Sequence, residues 1–140
     1  IGHVHDIDVA MRDWTRQLGI GPWTCIRDIE LDSTYNGTPL TLHIHEALAY
    51  AGPFQIQLGQ GRNDPSVPTP YQARVQAAQW GMHHVAYFSD DVDRDVAAAV
   101  AQGFGDVCEM RSPDGHRYYY LRSQESTTEL CERLLGVKVG

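Results

Sequence analysis

The chain repeats one order of elements in its two halves, and this repeat limits the possible folds more than any other feature of the sequence. Asp6-Ile7-Asp8 recurs as Asp91-Val92-Asp93, 85 residues later, and Gly19-Ile20-Gly21 recurs as Gly103-Phe104-Gly105, 84 residues later. Each pair of motifs encloses a segment with apolar residues at helical spacing. Self-similarity of this kind predicts two copies of one structural unit, each with one helix.

Each predicted helix has signals at its ends and one apolar face. Asp8 is the expected N-cap of the first helix and Gly19 its expected stop, and Gly103 is the expected stop of the second. The residues expected on the apolar faces are Ala10, Met11, Trp14 and Leu18 in the first helix, and Val92, Val96, Ala99 and Val100 in the second.

Strand-like runs separated by turns follow each helix. Asn36-Gly37 is the expected turn in the first half, and Pro113-Asp114-Gly115 is the expected turn in the second. The predicted strands are Trp23 to Leu31, Leu40 to Ala47, Phe54 to Leu58, Asp106 to Met110, Arg117 to Leu121 and Thr127 to Cys131. With a strand before each helix, each half becomes a βαβββ module.

The predicted fold is therefore of the α+β class. Two tandem βαβββ modules, residues 1–58 and 81–140, form a curved mixed sheet around a shared cleft and make one structural domain. Residues 59–80 are the expected linker because their first part is rich in Gly, Pro, Asn and Ser, and a short helix is expected from Tyr71 to Trp80.

Composition narrows the possible partners. A net charge of -7 argues against nucleic-acid binding, which needs clustered Lys and Arg, and the sequence holds no apolar run long enough to span a bilayer. The three widely spaced cysteines, Cys25, Cys108 and Cys131, are typical of reduced thiols in a cytoplasmic protein. We therefore expect a small-molecule substrate, no nucleic acid and no membrane.

Three polar residues lie at positions where the repeat could bring them together. Gln57 and Glu129 occupy equivalent places on the last strand of each half, and His84 belongs to the first strand of the second half. A carboxylate, an imidazole and an amide oxygen suit a divalent metal ion such as Mg, Mn, Fe, Co, Ni or Zn. The alternative is that Gln57 and Glu129 lie on solvent-exposed faces, as most such residues do.

A fourth metal ligand is harder to place. The position equivalent to His84 falls just before Ile1, whereas His3 matches Phe88. Either the first strand is short and His3 supplies the ligand, or the equivalent residue precedes Ile1. His3 has the strand parity of the missing position, so it is expected to face the same way.

The third strand of the first half carries two further histidines. Strand alternation puts His43 and His45 on one face, and Leu42, Ile44 and Glu46 on the other. The two histidines are candidates for a general base and its partner, for additional ligands, or for an exposed polar face. Tyr118 and Tyr120 alternate in the same way, either as hydrogen-bond donors to a substrate or as ordinary strand aromatics.

Taken together, these features resemble the vicinal oxygen chelate superfamily, which includes glyoxalases, methylmalonyl-CoA epimerases, extradiol dioxygenases and bleomycin-resistance proteins. The motifs that carry the resemblance are Gly81-Met82-His83-His84-Val85-Ala86, the Asp-x-Asp entry to both helices, Leu18-Gly19-Ile20-Gly21-Pro22-Trp23, Phe54-Gln55-Ile56-Gln57-Leu58 and Thr128-Glu129-Leu130. The pattern is most similar to single-module proteins of the methylmalonyl-CoA epimerase type.

The resemblance implies a site and a reaction. His84 and Glu129 would be metal ligands, Gln57 would occupy a ligand position that is glutamine in the epimerases, and His43 stands where the epimerases have an acid-base carboxylate. A divalent ion would bind two vicinal substrate oxygens and stabilise an enolate, with His43, His45 or Glu129 as the base. The implied activity is that of an isomerase, epimerase or lyase, and the implied assembly is a homodimer.

Two other functions stay open at this stage. An Fe(II) dioxygenase would use His3, His84 and Glu129 as a two-histidine, one-carboxylate site. A metal-free binding protein, as in bleomycin resistance, would hold its ligand in a cleft lined by Trp23, Trp80 and Tyr118. Such a protein needs neither His84 nor Glu129, and their presence favours the enzyme.

Overall fold

The computed structural model describes residues 1–76, 81–123 and 127–132. Its elements in chain order are β1 (Gly2–His3), α1 (Ile7–Leu18), β2 (Thr24–Tyr35), β3 (Thr38–Ala51), β4 (Phe54–Gly61), α2 (Gln72–Gln76), β5 (Gly81–Met82), β6 (Val85–Ser89), α3 (Val92–Ala101), β7 (Gly105–Arg111), β8 (Arg117–Arg122) and β9 (Thr127–Glu132). The predicted order of strand, helix and three strands in each half is confirmed, and so is the α+β class.

The structure divides into two compact units, each with its own run of hydrogen-bonded strands. The first unit comprises Ile1–Glu30 and Leu42–His83, and its strand order is β5-β1-β4-β3-β2. The second comprises Leu31–Thr41 and His84–Gly140, and its order is β2-β7-β8-β9-β6. In both units the strand before the helix pairs in parallel with the last strand of the half, β1 with β4 and β6 with β9.

The structure adds two details to the predicted modules, one at the tip of the β2–β3 hairpin and one at the end of strand β4. The tip of the β2–β3 hairpin belongs to the second unit, where Asp32 of β2 pairs with Arg111 of β7. Strand β4 extends to Gly61, past the predicted end of the first module at residue 58. At the hairpin tip, Asn36 and Gly37 have φ of 48° and 78°, as the predicted tight turn requires.

The N-cap of helix α1 lies two residues earlier than predicted. Asp6, rather than Asp8, is the N-cap, because its carboxylate accepts hydrogen bonds from the backbone N–H groups of Asp8 and Val9 at 3.0 and 2.9 Å. Gly19 ends the helix in the left-handed conformation, as predicted, with φ of 67°. The prediction for the apolar face was wrong for Leu18, which is 62% exposed at the end of the helix.

The core beside α1 consists of Ile7, Ala47 and Leu58. The partly buried side chains packed against it are Val4, Ala10, Met11, Trp14, Trp23 and Cys25. Leu58 is completely buried and Ala47 pairs with it across β3 and β4, so one face of these strands supports the helix.

In the second unit, Asp91 is the N-cap of α3 and accepts a hydrogen bond from the N–H of Arg94 at 3.0 Å. Val92 is buried and Arg117 of β8 forms an ion pair with Asp93 at 2.9 Å, so α3 lies over the β8 face that carries Arg117. In the linker, α2 ends at Gln76, and the predicted helical residues from 77 to Trp80 lie outside the described part of the chain. No helix in the described part is long and apolar enough to cross a bilayer.

Candidate functional site

In the first unit, His3 and Gln57 project from the same face of the sheet. His3 pairs with Gly59 in the parallel β1–β4 ladder, and Gln57 precedes Gly59 by two residues. Because strand residues two apart share a face, Gln57 lies on the side of His3, and Leu58 points the other way into the α1 core. The two first-half ligand candidates therefore share the face that α1 does not cover.

The imidazole of His3 is packed among other rings. His3 is 2% exposed, and its ring stacks on that of Tyr71 with centroids 5.3 Å apart. His83 lies edge-on to His3 at 6.2 Å and is 5.4 Å from Tyr71. Tyr71 approaches β4 so closely that a Cβ at Gly61 would lie 3.2 Å from the Tyr71 Cβ, and glycine at position 61 leaves room for the ring.

This environment keeps His3 neutral at neutral pH. Burial, with a smaller contribution from the nearby positive charge of Arg74, lowers its pKa from 6.5 to about 4. A neutral imidazole is the form that binds metal ions. The structure therefore provides His3 in the protonation state that a metal ligand requires.

In the second unit, His84 and Glu129 form a buried polar pair. The Nε2 atom of His84 is 2.9 Å from Oε2 of Glu129, and the two side chains are 0% and 9% exposed. The strand register explains the contact, because Glu129 pairs with Ala86 and His84 precedes Ala86 by two residues. Tyr120, which pairs with Glu129 across β8 and β9, packs on the His84 ring with centroids 4.6 Å apart.

The His84–Glu129 distance suits two ligands of one metal ion. Donor atoms at about 2.1 Å from a metal and at right angles to each other are about 3 Å apart. The same separation is that of a charge-assisted hydrogen bond. In residues 1–76, 81–123 and 127–132, no three His, Cys, Asp or Glu side chains form a group that could hold a metal ion.

The structure does not bring His43 and His45 to the face of His3 and Gln57. His45 pairs with Gln60, whose side chain accepts a hydrogen bond from the first N–H of α1, so the histidines share the face that supports α1. The Nδ1 atom of His45 accepts a hydrogen bond from the N–H of Asp28 at 3.0 Å. His43 has a side chain 44% exposed, and its Nδ1 is 3.6 Å from a carboxylate oxygen of Glu30.

Glu46 of β3 lies on the face of His3 and Gln57. It pairs with Gly59, the residue that also pairs with His3, and it is half-buried. Sequence reasoning placed Glu46 on the opposite face from His43 but did not treat it as a site residue. The missing signal was the register between β3 and β4, since a shift of one residue exchanges the two faces.

The aromatic residues expected to line a cleft have different surroundings. Trp23 packs edge-on to Trp14 of α1 at 6.4 Å and donates a hydrogen bond to Oγ1 of Thr15 at 3.0 Å, so it belongs to the helix-side core. Tyr118 stacks with His116 at 6.2 Å. Trp80 lies outside the described residues.

An open cavity of about 530 Å³ lies in the second unit, away from the predicted site residues. Asp32, Thr34, Glu109 and Arg111 are among the residues that line it, and the Arg111 guanidinium is 2.7 Å from a carboxylate oxygen of Glu109. The positive charge in the lining is therefore paired with a carboxylate within the cavity.

Strand–helix–three-strand halves and a buried histidine–carboxylate pair define a glyoxalase-like α+β protein. The model of the glyoxalase/bleomycin resistance protein/dioxygenase superfamily matches residues 3–120, and the chain belongs to this superfamily. A comparison with curated protein sequences gave no match.

Solved structures with the same fold are distant in sequence. A Streptomyces coelicolor methylmalonyl-CoA epimerase variant in complex with 2-nitronate-propionyl-CoA is 17% identical, with a TM-score of 0.62 over 94% of this chain and 89% of the epimerase. A hypothetical protein from Bacillus halodurans is 15% identical, with a TM-score of 0.66 over 98% and 93% of the two chains. A 4-hydroxymandelate synthase mutant from Streptomyces coelicolor is 16% identical, with a TM-score of 0.60 over 96% of this chain and 38% of the synthase. At these identities the likeness establishes the fold.

Proposed function

We propose that the protein is a metal-dependent isomerase, epimerase or lyase that moves a proton at the carbon next to a carbonyl group. Its substrate is a small molecule with vicinal oxygens. The observation that carries the proposal is the buried His84–Glu129 pair, whose donor atoms are 2.9 Å apart. A structural role alone does not require an imidazole and a carboxylate to be removed from water together.

The proposed ligands are His84 and Glu129, with His3 and Gln57 as the further members. All four are half-buried or buried, and their nitrogen and oxygen donors suit a divalent ion such as Mn, Co, Ni, Zn, Mg or Fe. When bound, this ion would polarise the substrate carbonyl and stabilise the negative charge that develops on its oxygen.

Glu46 is the proposed general base in place of His43 and His45. Its carboxylate lies on the face that carries His3 and Gln57, whereas His45 is held by the Asp28 backbone on the other face. The solved epimerase that shares this fold was captured with an acyl-CoA analogue, and a carbon acid of that kind is a suitable first substrate.

Metal content tests the ligand assignment. Protein purified without chelator should contain near-stoichiometric divalent metal by elemental analysis, and His84→Ala and Glu129→Gln should both lose it. His43→Ala, which removes an imidazole from the other face of β3, is the matched control and should keep the metal. Absence of metal from the wild type, with no thermal stabilisation by added Mn, Co, Ni, Zn or Fe, would overturn the proposal.

A second candidate function is the metal-free binding of a ligand. The observation that favours it is that 2.9 Å is also an ordinary length for a hydrogen bond between His84 and Glu129. This candidate predicts full ligand binding in chelator-treated protein and no change in melting temperature with any of the metals. The dioxygenase candidate instead predicts selective Fe(II) uptake and oxygen consumption with a substrate.

The predicted assembly is a homodimer in the cytoplasm, as the resemblance to the superfamily implies. Light scattering coupled to size-exclusion chromatography tests the oligomeric state, and a mass of one chain at micromolar concentration would contradict it.

A further inference from the structure

Arg74 carries a positive charge that no carboxylate in the described part of the chain neutralises. Its Nη2 atom donates one hydrogen bond, to the backbone oxygen of Met82 at 3.1 Å. Its Nε atom is buried and has no hydrogen-bond partner among the described residues. The arginines that form ion pairs with carboxylates are Arg27, Arg94, Arg111 and Arg117.

The Arg74 guanidinium lies beside the face that carries the proposed ligands. Helix α2 follows Tyr71, whose ring stacks on His3 at 5.3 Å. Met82, which accepts the Arg74 hydrogen bond, follows Gly81, and Gly81 pairs with His3 across β1 and β5. Arg74 is also close enough to His3 for its charge to lower the pKa of that imidazole.

A buried guanidinium donor without an acceptor is unfavourable unless a ligand satisfies it. An arginine presents its N–H groups in a planar fork that matches the two oxygens of a carboxylate. An anionic group that reaches this place would therefore find one cation with open hydrogen-bonding capacity.

We infer that Arg74 binds a carboxylate of the substrate and so selects carboxylated carbon acids over neutral ones. This inference rests on the proposed function, because the bound carboxylate selects a substrate only if the protein is an enzyme. Carboxylate binding itself is measured without turnover. Arg74 is a specificity-determining residue in this assignment.

Malonate titration of chelator-treated protein tests the assignment. Wild type should bind malonate saturably, and neutral malonamide should not bind. Arg74→Gln should weaken malonate binding about 10- to 100-fold, the effect of losing hydrogen bonds to a charged group, and Arg74→Lys should lose less. The matched control is Arg62→Gln, an exposed arginine of the same connection between β4 and α2, which should bind malonate as wild type does.

A measurement on the unmutated protein keeps the test independent of any folding defect in the variants. Malonate should shift one arginine Nε–H signal in a proton–nitrogen NMR spectrum, and that signal should be missing from the Arg74→Lys spectrum. Equal malonate binding by Arg74→Gln and wild type would overturn the inference. Equal binding of inorganic phosphate and malonate by wild type would overturn it too, by showing a general anion site.

The two proposals fail in different experiments. Wild type that takes up no metal but binds malonate through Arg74 would overturn the proposed function and leave carboxylate binding in place. Wild type that takes up metal through His84 and Glu129, with malonate binding unaffected by Arg74→Gln, would overturn only the inference about Arg74.

Discussion

Acid should destabilise the metal-free protein through protonation of His3. The pKa of its imidazole is about 4 in the folded chain and 6.5 at its ordinary value. Between these two pH values the unfolded chain binds more protons than the folded chain, so the free energy of unfolding falls as pH falls. The loss begins below pH 6.5 and is complete near pH 4.

The magnitude follows from the difference in pKa. About 2.5 pKa units, at about 1.4 kcal/mol each, give a loss of about 3 kcal/mol. This is a large part of the 5 to 15 kcal/mol that is usual for a small domain. The matched variant is His3→Phe, which keeps a ring against Tyr71 and cannot be protonated in this range.

The change in unfolding free energy with pH is measured by urea unfolding, followed by circular dichroism. The measurements are made at pH 7, 6, 5 and 4 in the presence of a chelator. The unfolding free energy of wild type should fall relative to that of His3→Phe by about 3 kcal/mol from pH 7 to pH 4. Repeating the series at higher salt is the control, because salt screens exposed charges but not a buried imidazole. A wild-type minus variant difference that is constant with pH would refute the reasoning.

Three further substitutions test the core, the α1 cap and the site. Leu58→Ala should lower the free energy of unfolding by about 3 to 5 kcal/mol in urea, because the side chain is completely buried against α1; a loss below 1 kcal/mol would contradict this packing. Asp6→Ala should cost about 1 kcal/mol in the same assay and Asp8→Ala less, since Asp6, and not Asp8, accepts hydrogen bonds from N–H groups of the first turn of α1; equal losses would contradict the cap assignment. Glu46→Gln should slow deuterium exchange at the acidic carbon of an acyl-CoA substrate by about 10² to 10⁴-fold, measured by NMR, with metal content unchanged. The His43→Gln variant should exchange at nearly the wild-type rate. Slow exchange in His43→Gln and normal exchange in Glu46→Gln would restore His43 as the base.

Much of the fold was predictable because the signals are local. The repeated Asp-x-Asp and Gly-x-Gly motifs mark the ends of both long helices, and Asn36-Gly37 adopts the positive φ values of a tight hairpin turn. The sequence does not distinguish Asp6 from Asp8 as the N-cap of α1. Both are acidic residues near the start of an apolar pattern, and only the extended backbone of Asp6, with φ of -137°, identifies the cap.

The site was less predictable because it depends on pairing between strands. Alternation places His43 and His45 together on one face of β3, but it does not tell which face meets Gln57. The register does so, by pairing Glu46 with Gly59 and Leu48 with Gln57. The position of His3 was also not predictable, because the repeat does not define which residue of β4 lies beside it. In the structure, His3 of β1 pairs with Gly59 of β4.

In each unit, one face of the strands packs against a helix, and the other face carries the proposed site residues. In the first unit, Leu58 and Ala47 face α1, and Gln57 lies on the other face with Glu46. In the second, Arg117 of β8 faces α3, and Tyr120, three residues further along the strand, lies on the opposite face with Glu129. Because apolar or ion-paired side chains meet the helix, the proposed metal ligands and base can vary on the other face while the contacts with the helix are kept. Substitutions of Leu58 and Ala47 are therefore expected to change mainly the free energy of unfolding. Substitutions of Gln57 and Glu46 are expected to change mainly metal or substrate binding.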